Sequence, residues 1–358
     1  MSSSPTRELQ SLGQRIWLDN LTRDLLADGT LARWIGGLSV SGVTSNPTIL
    51  DHAIRHSARY DAPIRRLAGQ GLPDEAIFFE LVLEDLRQAA ALFRPLHEAS
   101  GGADGWVSLE VSPLLAADTA GTVAQAKALH ARAGLPNLFI KIPATPEGIP
   151  AIEESLFAGV PVNVTLLFSA EQYLAAAAAW RRALERRQAA GLAAPVHSVA
   201  SLFVSRWDKA VADRVGAPLR NRLGIAVAGR AYRAYREWLA RPEVRRFAEA
   251  GMPMQRLLWA STGTKDPRAS DVLYVEALAA PDTINTLPDA TLLAFADHGR
   301  IGRALAADGD EAETVLAPFA AAGLDTGELA DALLREGVRA FEASGRDLMA
   351  CIASKRGA

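Results

Sequence analysis

Cysteine is almost absent: the 358 residues contain one, Cys351. One thiol cannot close an intrachain disulfide, and it cannot supply the several thiolates of a zinc ribbon or an iron–sulfur cluster. An excess of either charge is also missing. Thirty-eight Lys and Arg stand against 41 Asp and Glu, a net charge of −3. That balance argues against nucleic acid as the main partner, since affinity for phosphate backbones needs a basic surface. There is no apolar run of the roughly 20 residues that a bilayer span requires. The alanine-rich stretch 174–179 is short and runs straight into Trp180, Arg181 and Arg182. The first eight residues show no apolar core of a secretory leader. No G-x-G-x-x-G or Walker loop follows any strand-like segment. The expectation is a cytoplasmic protein of ordinary globular composition, 49% hydrophobic and 22% charged, with no membrane association.

Short apolar runs alternate with longer stretches of helical period. Strands are expected at 15–20, 42–47, 106–112, 138–143, 160–168, 197–206, 257–261 and 283–287. Between them, 74–93 places Phe78, Val82, Leu86, Ala89 and Phe93 on one helical stripe. Thr145-Pro146 reads as an N-cap followed by proline at the first helical position, and Ser169 to Gln172 as a capping box whose helix stops near Gly191. Strands alternating with helices predict βαβ units. Eight of them predict an α/β fold, a (β/α)8 barrel with additional helices, here over a single domain 1–358. The rival, an open doubly wound sheet, lacks its phosphate-binding loop. Residues 206–250 are expected to form a helical insertion before strand seven, and 322–355 one or two helices packed across the barrel.

Successive strand residues face opposite ways. Val107, Leu109 and Val111 oppose Ser108, Glu110 and Ser112; Leu138, Ile140 and Ile142 oppose Lys141; Val162, Val164, Leu166 and Phe168 oppose Asn163 and Thr165. In the first strand Ile16 and Leu18 oppose Asp19, and in the second Val43 and Ser45 oppose Thr44 and Asn46. In a barrel the apolar face packs on the helices, and the polar residues point inward near the strand C-termini, where barrel active sites lie. An antiparallel sheet with one wet face would leave the same charges solvated, but the intervening helices favour parallel strands. Inward Lys, Glu and Asp are costly unless they pair or work. A desolvated lysine amine can attack a carbonyl to form a Schiff base, with carboxylates shuttling protons. The strand faces therefore point to class I aldolase-type chemistry.

The segment GVTSNPTIL at 42–50 resembles the first signature of the transaldolase family, and LFIKIPATPEGI at 138–149 the second, which surrounds the Schiff-base lysine. Similar matches run from Asp19-Asn20 through SLEV at 108–111, NVTLLFS at 163–169, SLFVSR at 201–206 and WASTGTK at 259–265 to DTINTLP at 282–288, which is like the longer bacterial branch. The resemblance covers roughly 15–350. It implies transfer of a dihydroxyacetone unit from fructose 6-phosphate or sedoheptulose 7-phosphate to erythrose 4-phosphate or glyceraldehyde 3-phosphate. By similarity Lys141 forms the Schiff base, Glu110 and Thr165 handle a catalytic water, and Asp19 takes the proton from the C4 hydroxyl. Thr44, Asn46, Asn163, Ser201 and Ser261 are implied to bind substrate, Phe203 to line the pocket and Arg206 to grip phosphate. The better-known branch has an arginine two residues after the serine of strand seven. Gly263 falls there in this chain, so Lys265 is the expected replacement. No metal or organic cofactor is implied, and monomer and homodimer both stay open. The alternatives are an aldolase releasing free dihydroxyacetone and a non-catalytic sugar-phosphate-binding barrel.

Other features carry less. His52 and His56 have an i,i+4 spacing without an evident third metal ligand. The stretch 230–246 mixes arginines with Tyr232, Tyr235 and Trp238, but Glu237 and Glu243 break its positive field. Cys351 has no identifiable base beside it.

Overall fold

Branched apolar side chains on one face of each strand need a helical layer to cover them, and the strands close on themselves to provide it. The computed structural model describes residues 4–309 and 311–356. Its eight strands are β1 (Arg15–Leu18), β2 (Val40–Val43), β3 (Trp106–Glu110), β4 (Leu138–Pro143), β5 (Val162–Leu167), β6 (Ser198–Phe203), β7 (Arg256–Ala260) and β8 (Thr283–Leu287). They form a closed barrel in sequence order, all neighbours parallel, β8 pairing back on β1. This is the (β/α)8 barrel. The β2 strand lies earlier than 42–47 because Asn46 starts a helix there: its side chain accepts from the Ile49 N–H at 3.0 Å, and Pro47 takes the first helical position.

The helix Asp74–Ala99 buries Phe78, Val82, Leu86, Ala89 and Phe93 together. Ser169 caps Ala170–Ala189, its hydroxyl accepting from the Gln172 N–H at 3.2 Å. The Gln172 side chain reaches back one residue further than in a simple capping box, accepting from the Phe168 N–H. Thr145 Oγ1 accepts from the Gly148 N–H at 2.8 Å, so it caps the turn before the helix Gly148–Phe157 proper. Within 206–250 the chain forms Leu223–Ala240 and Pro242–Glu249 after a short helix Ser205–Val211. Leu223–Ala240 packs on Ala170–Ala189, Tyr173 and Tyr235 meeting edge to face. Near the C-terminus one long helix, Thr326–Arg356, lies on Pro47–His56, where Lys355 Nζ donates to the Ile54 carbonyl and Thr48 and Ser344 share a 2.7 Å hydrogen bond.

Ile16, Leu18, Val107, Leu109, Leu138, Ile140, Val162 and Val164 join the core between strands and helices. The lower interior is filled by Trp17, Trp106, Phe139, Val199, Leu258 and Ile284, with Trp106 and Phe139 centroids 4.1 Å apart. The alternation expected for β5 fails at Leu166. The register with β6 runs from Val164↔Ala200 to Leu167↔Leu202, three steps against two, and Leu166 takes φ +60°. This bulge turns Leu166 away from Val162 and Val164 and into the cluster holding Phe168 and Phe203, while Leu167 replaces it against the helices.

Candidate active site

Strand register sets out the centre. Glu110 on β3 pairs with Lys141 on β4, and Lys141 with Asn163 on β5, so three inward side chains stand abreast. Lys141 is buried, and its Nζ donates to the Ser45 carbonyl at 2.9 Å. Glu110 Oε2 is 3.3 Å from that Nζ, an ion pair without an aligned hydrogen bond. Burial raises the Glu110 carboxyl above the usual range, and the Lys141 charge opposes the rise. Asp19, at the end of β1, is likewise raised by its surroundings, against the pull of Lys141 and of Thr44 Oγ1, which donates at 3.1 Å. Thr44 also shares a 2.8 Å hydrogen bond with Thr286 of β8. Thr165 Oγ1 is buried without a protein hydrogen-bond partner, as is Glu110 Oε2. A buried polar atom of that kind calls for an explanation.

A cavity of about 360 Å³ opens over these groups. Asp19, Thr44, Asn46, Lys141, Thr165, Ser201, Phe203, Arg206, Ser261 and Lys265 all line it, ten of the twelve residues singled out from sequence. Asn163 lies just beneath, completely buried, accepting from Ser201 Oγ at 2.7 Å and donating to Ser108 Oγ at 3.3 Å. Glu110 is reached through Lys141 and borders a neighbouring apolar cavity. Asn46 spends its carbonyl oxygen on the helix cap, which leaves its amide N–H groups for a ligand. Ser261 sits at φ +55° and shares a 2.9 Å hydrogen bond with Ser205, tying the end of β7 to the start of the Arg206 helix. The half-buried Arg206 guanidinium stacks on Phe203 at 5.0 Å, and burial lowers its pKa from the ordinary value. Lys265 is exposed, its Nζ reaching over Gly263. The stacked His52 and His56 are exposed and do not border the cavity.

The sequence argument missed Thr286 and Phe341 among the lining residues. Thr286 lies on the inward face of β8 and was open to the same alternation argument. Phe341 comes from the long C-terminal helix, and no local pattern announces that contact.

Among proteins of known sequence families, the model described as Transaldolase/Fructose-6-phosphate aldolase matches residues 16–352. The chain belongs to this family. It is 46% identical over 355 residues to a protein named transaldolase from Thiobacillus denitrificans, spanning 97% of this chain and 99% of that one. Proteins of the same name from Frankia alni and Neisseria meningitidis are 43% and 42% identical, covering 99% and 96% of this chain and 98% of each relative. A lysine Schiff base is typical of transaldolases, and the inward lysine of β4 lies in the segment that resembles the family's second signature.

Proposed function

We propose that this chain moves a dihydroxyacetone unit from a ketose phosphate to an aldose phosphate through a Schiff base on Lys141. The observation that carries the reading is one buried amine, held by the Ser45 carbonyl and Glu110, under a cavity that also holds two further cations. Nζ attacks the C2 carbonyl, and loss of water gives an iminium. Asp19 takes the C4 hydroxyl proton. The C3–C4 bond breaks, its electron pair passes to the iminium as an enamine, and the aldose phosphate departs. The enamine then adds to the acceptor aldehyde, and hydrolysis frees Lys141. The Glu110 carboxylate, which makes no aligned hydrogen bond to Lys141, and the unpartnered Thr165 hydroxyl suit a water taken up and released in the imine steps. The Asn46 and Asn163 amides offer donors to the sugar hydroxyls, the Thr44 and Ser201 oxygens, whose protons are already given to Asp19 and Asn163, accept from them, and Ser261 adds a contact at the rim. Arg206 and Lys265 hold the phosphate, the first as a planar fork, the second as a point charge. A cytoplasmic setting fits the single thiol, and sugar phosphates rather than nucleic acid fit the balanced charge.

Borohydride reduction in the presence of fructose 6-phosphate tests this directly. Peptide mapping is expected to find the reduced adduct on Lys141; an adduct on another residue overturns the assignment. The family description also names an aldolase, which would release free dihydroxyacetone. Transfer predicts that erythrose 4-phosphate accelerates release of glyceraldehyde 3-phosphate from fructose 6-phosphate many-fold, whereas a simple aldolase releases it at the same rate without acceptor.

A further inference from the structure

We propose that the C-terminal helix acts as a clamp that presets the phosphate-gripping arginine, with Phe341 and Gly337 as its positioning residues. The proposal rests on reading Arg206 as the phosphate cation. Arg206 starts from one side of the barrel mouth, in the helix Ser205–Val211, and its guanidinium projects over the cavity. Phe203 lies under it at 5.0 Å and Phe341 of Thr326–Arg356 faces it at 5.8 Å, so two rings bracket the guanidinium. No hydrogen bond or ion pair engages that guanidinium among the described residues. A flexible cation would ordinarily be fixed by a carboxylate, which would then compete with an incoming phosphate. Here aromatic faces hold the plane while its N–H edge stays open for a bidentate anion.

Gly337 completes the arrangement one turn earlier. Glycine inside a helix costs about 1 kcal/mol against alanine, so its presence in a long helix needs a packing reason. A Cβ on Gly337 would stand 3.1 Å from Arg206 Nη1 and 2.9 Å from Leu166 Cδ2. Both neighbours belong to the site: Arg206 directly, and Leu166 through the β5 bulge next to Thr165. The helix can approach closely enough for Phe341 to reach the guanidinium only because position 337 carries no side chain. Glu336 on the same helix is exposed, makes no ion pair with Arg206, and attracts it ahead of Asp19 and Glu110.

Steady-state kinetics on the full-length enzyme separate this role from a merely structural one. The donors are fructose 6-phosphate and unphosphorylated fructose, with inorganic phosphate as a competitive inhibitor. Phe341→Leu and Gly337→Ala are each expected to raise the KM for fructose 6-phosphate and the inhibition constant for phosphate about fivefold, the scale of one partly buried cation–π contact. The loss in kcat/KM is expected to be clearly smaller for fructose than for fructose 6-phosphate, and Phe341→Tyr, which keeps the ring, restores phosphate binding. Arg206→Ala is the reference. If it weakens phosphate binding while Phe341→Leu and Gly337→Ala do not, or if those two depress both donors equally, the clamp is overturned and the phosphate reading stands. If Arg206→Ala leaves phosphate inhibition unchanged, the phosphate reading fails and the clamp fails with it.

Discussion

Asn46 does two jobs that substitution can separate. Its carbonyl oxygen caps the helix Pro47–His56, while its amide is left for the cavity proposed to take the sugar. Aspartate is as good an N-cap as asparagine, whereas alanine loses the cap at about 1 kcal/mol. Asn46→Asp is therefore expected to melt as the parent does yet lose most of its kcat/KM, and Asn46→Ala to lose both; denaturant unfolding beside kinetics checks the pair. Lys141 is a second case. Its removal strands Glu110, but burial already raises that carboxyl, so it can take up a proton rather than stay a buried charge. Lys141→Met should fold while turnover falls to background, with circular dichroism and activity as the readouts. As the proposed base, Asp19 has to be ionised to accept the C4 proton. Its carboxyl is raised from 3.8 by desolvation, so activity is lost as pH falls through that raised value. The acidic limb of the kcat/KM profile is expected above 3.8, and a limb at or below it would contradict Asp19 as the base.

Elements place these residues, and some of that placing is local. In β2 the Gly42 position would put a Cβ 2.7 Å from the Trp17 ring, inside the packed floor of the barrel. Backbone and indole have little room to yield there. Gly42→Ala is expected to destabilise by about 2 kcal/mol, as overpacked cores do, measured by chemical denaturation, with KM nearly unchanged because the site lies one layer higher. The eight strands were legible because each carries an apolar face at period two and helices with caps between them. Lys141, Glu110 and Asp19 were legible as the inward exceptions to that alternation. The β5 bulge was not, because Leu166 takes a left-handed conformation that no local residue preference demands. Its compensation lies in tertiary packing against Gly337. Phe341 escaped for the same reason: a phenylalanine on an amphipathic helix reads as core, and only the path of Thr326–Arg356 across the mouth brings it to Arg206. Likewise Asn46 was expected as a sugar contact from the motif it resembles, while its cap depended on where β2 ended.

At the scale of the whole barrel, the mouth does the chemistry and the floor holds the ring of strands closed. Arg15 and Arg256, at the starts of β1 and β7, both reach Asp104, at 2.7 and 3.3 Å. Above them Trp106 meets His97 edge to face at 4.8 Å and His197 at 4.9 Å. Burial, with the nearby His97 and Arg256, pushes the His197 imidazole down from 6.5 to about 4. A histidine depressed in the folded state costs nothing where it is neutral in both states. Below 6.5 the unfolded chain takes the proton first, so stability falls as pH drops towards 4. A gap of that size corresponds to about 3 kcal/mol. Asp85, raised to about 6 by burial, runs the other way, giving up stability as pH rises through that value. Glu110 and Asp19, whose carboxyls are also raised, act in the same direction as Asp85, so the parent's own pH curve mixes all of them. Comparison with His197→Gln removes these carboxyls from the difference and subtracts the pH-independent loss of the ring. The stability gap between parent and variant is expected to move by about 3 kcal/mol against the parent between pH 7 and pH 4. A gap that stays constant over that range would mean the floor of the barrel accepts a charged imidazole, and the closure of the strands would then owe nothing to its neutrality.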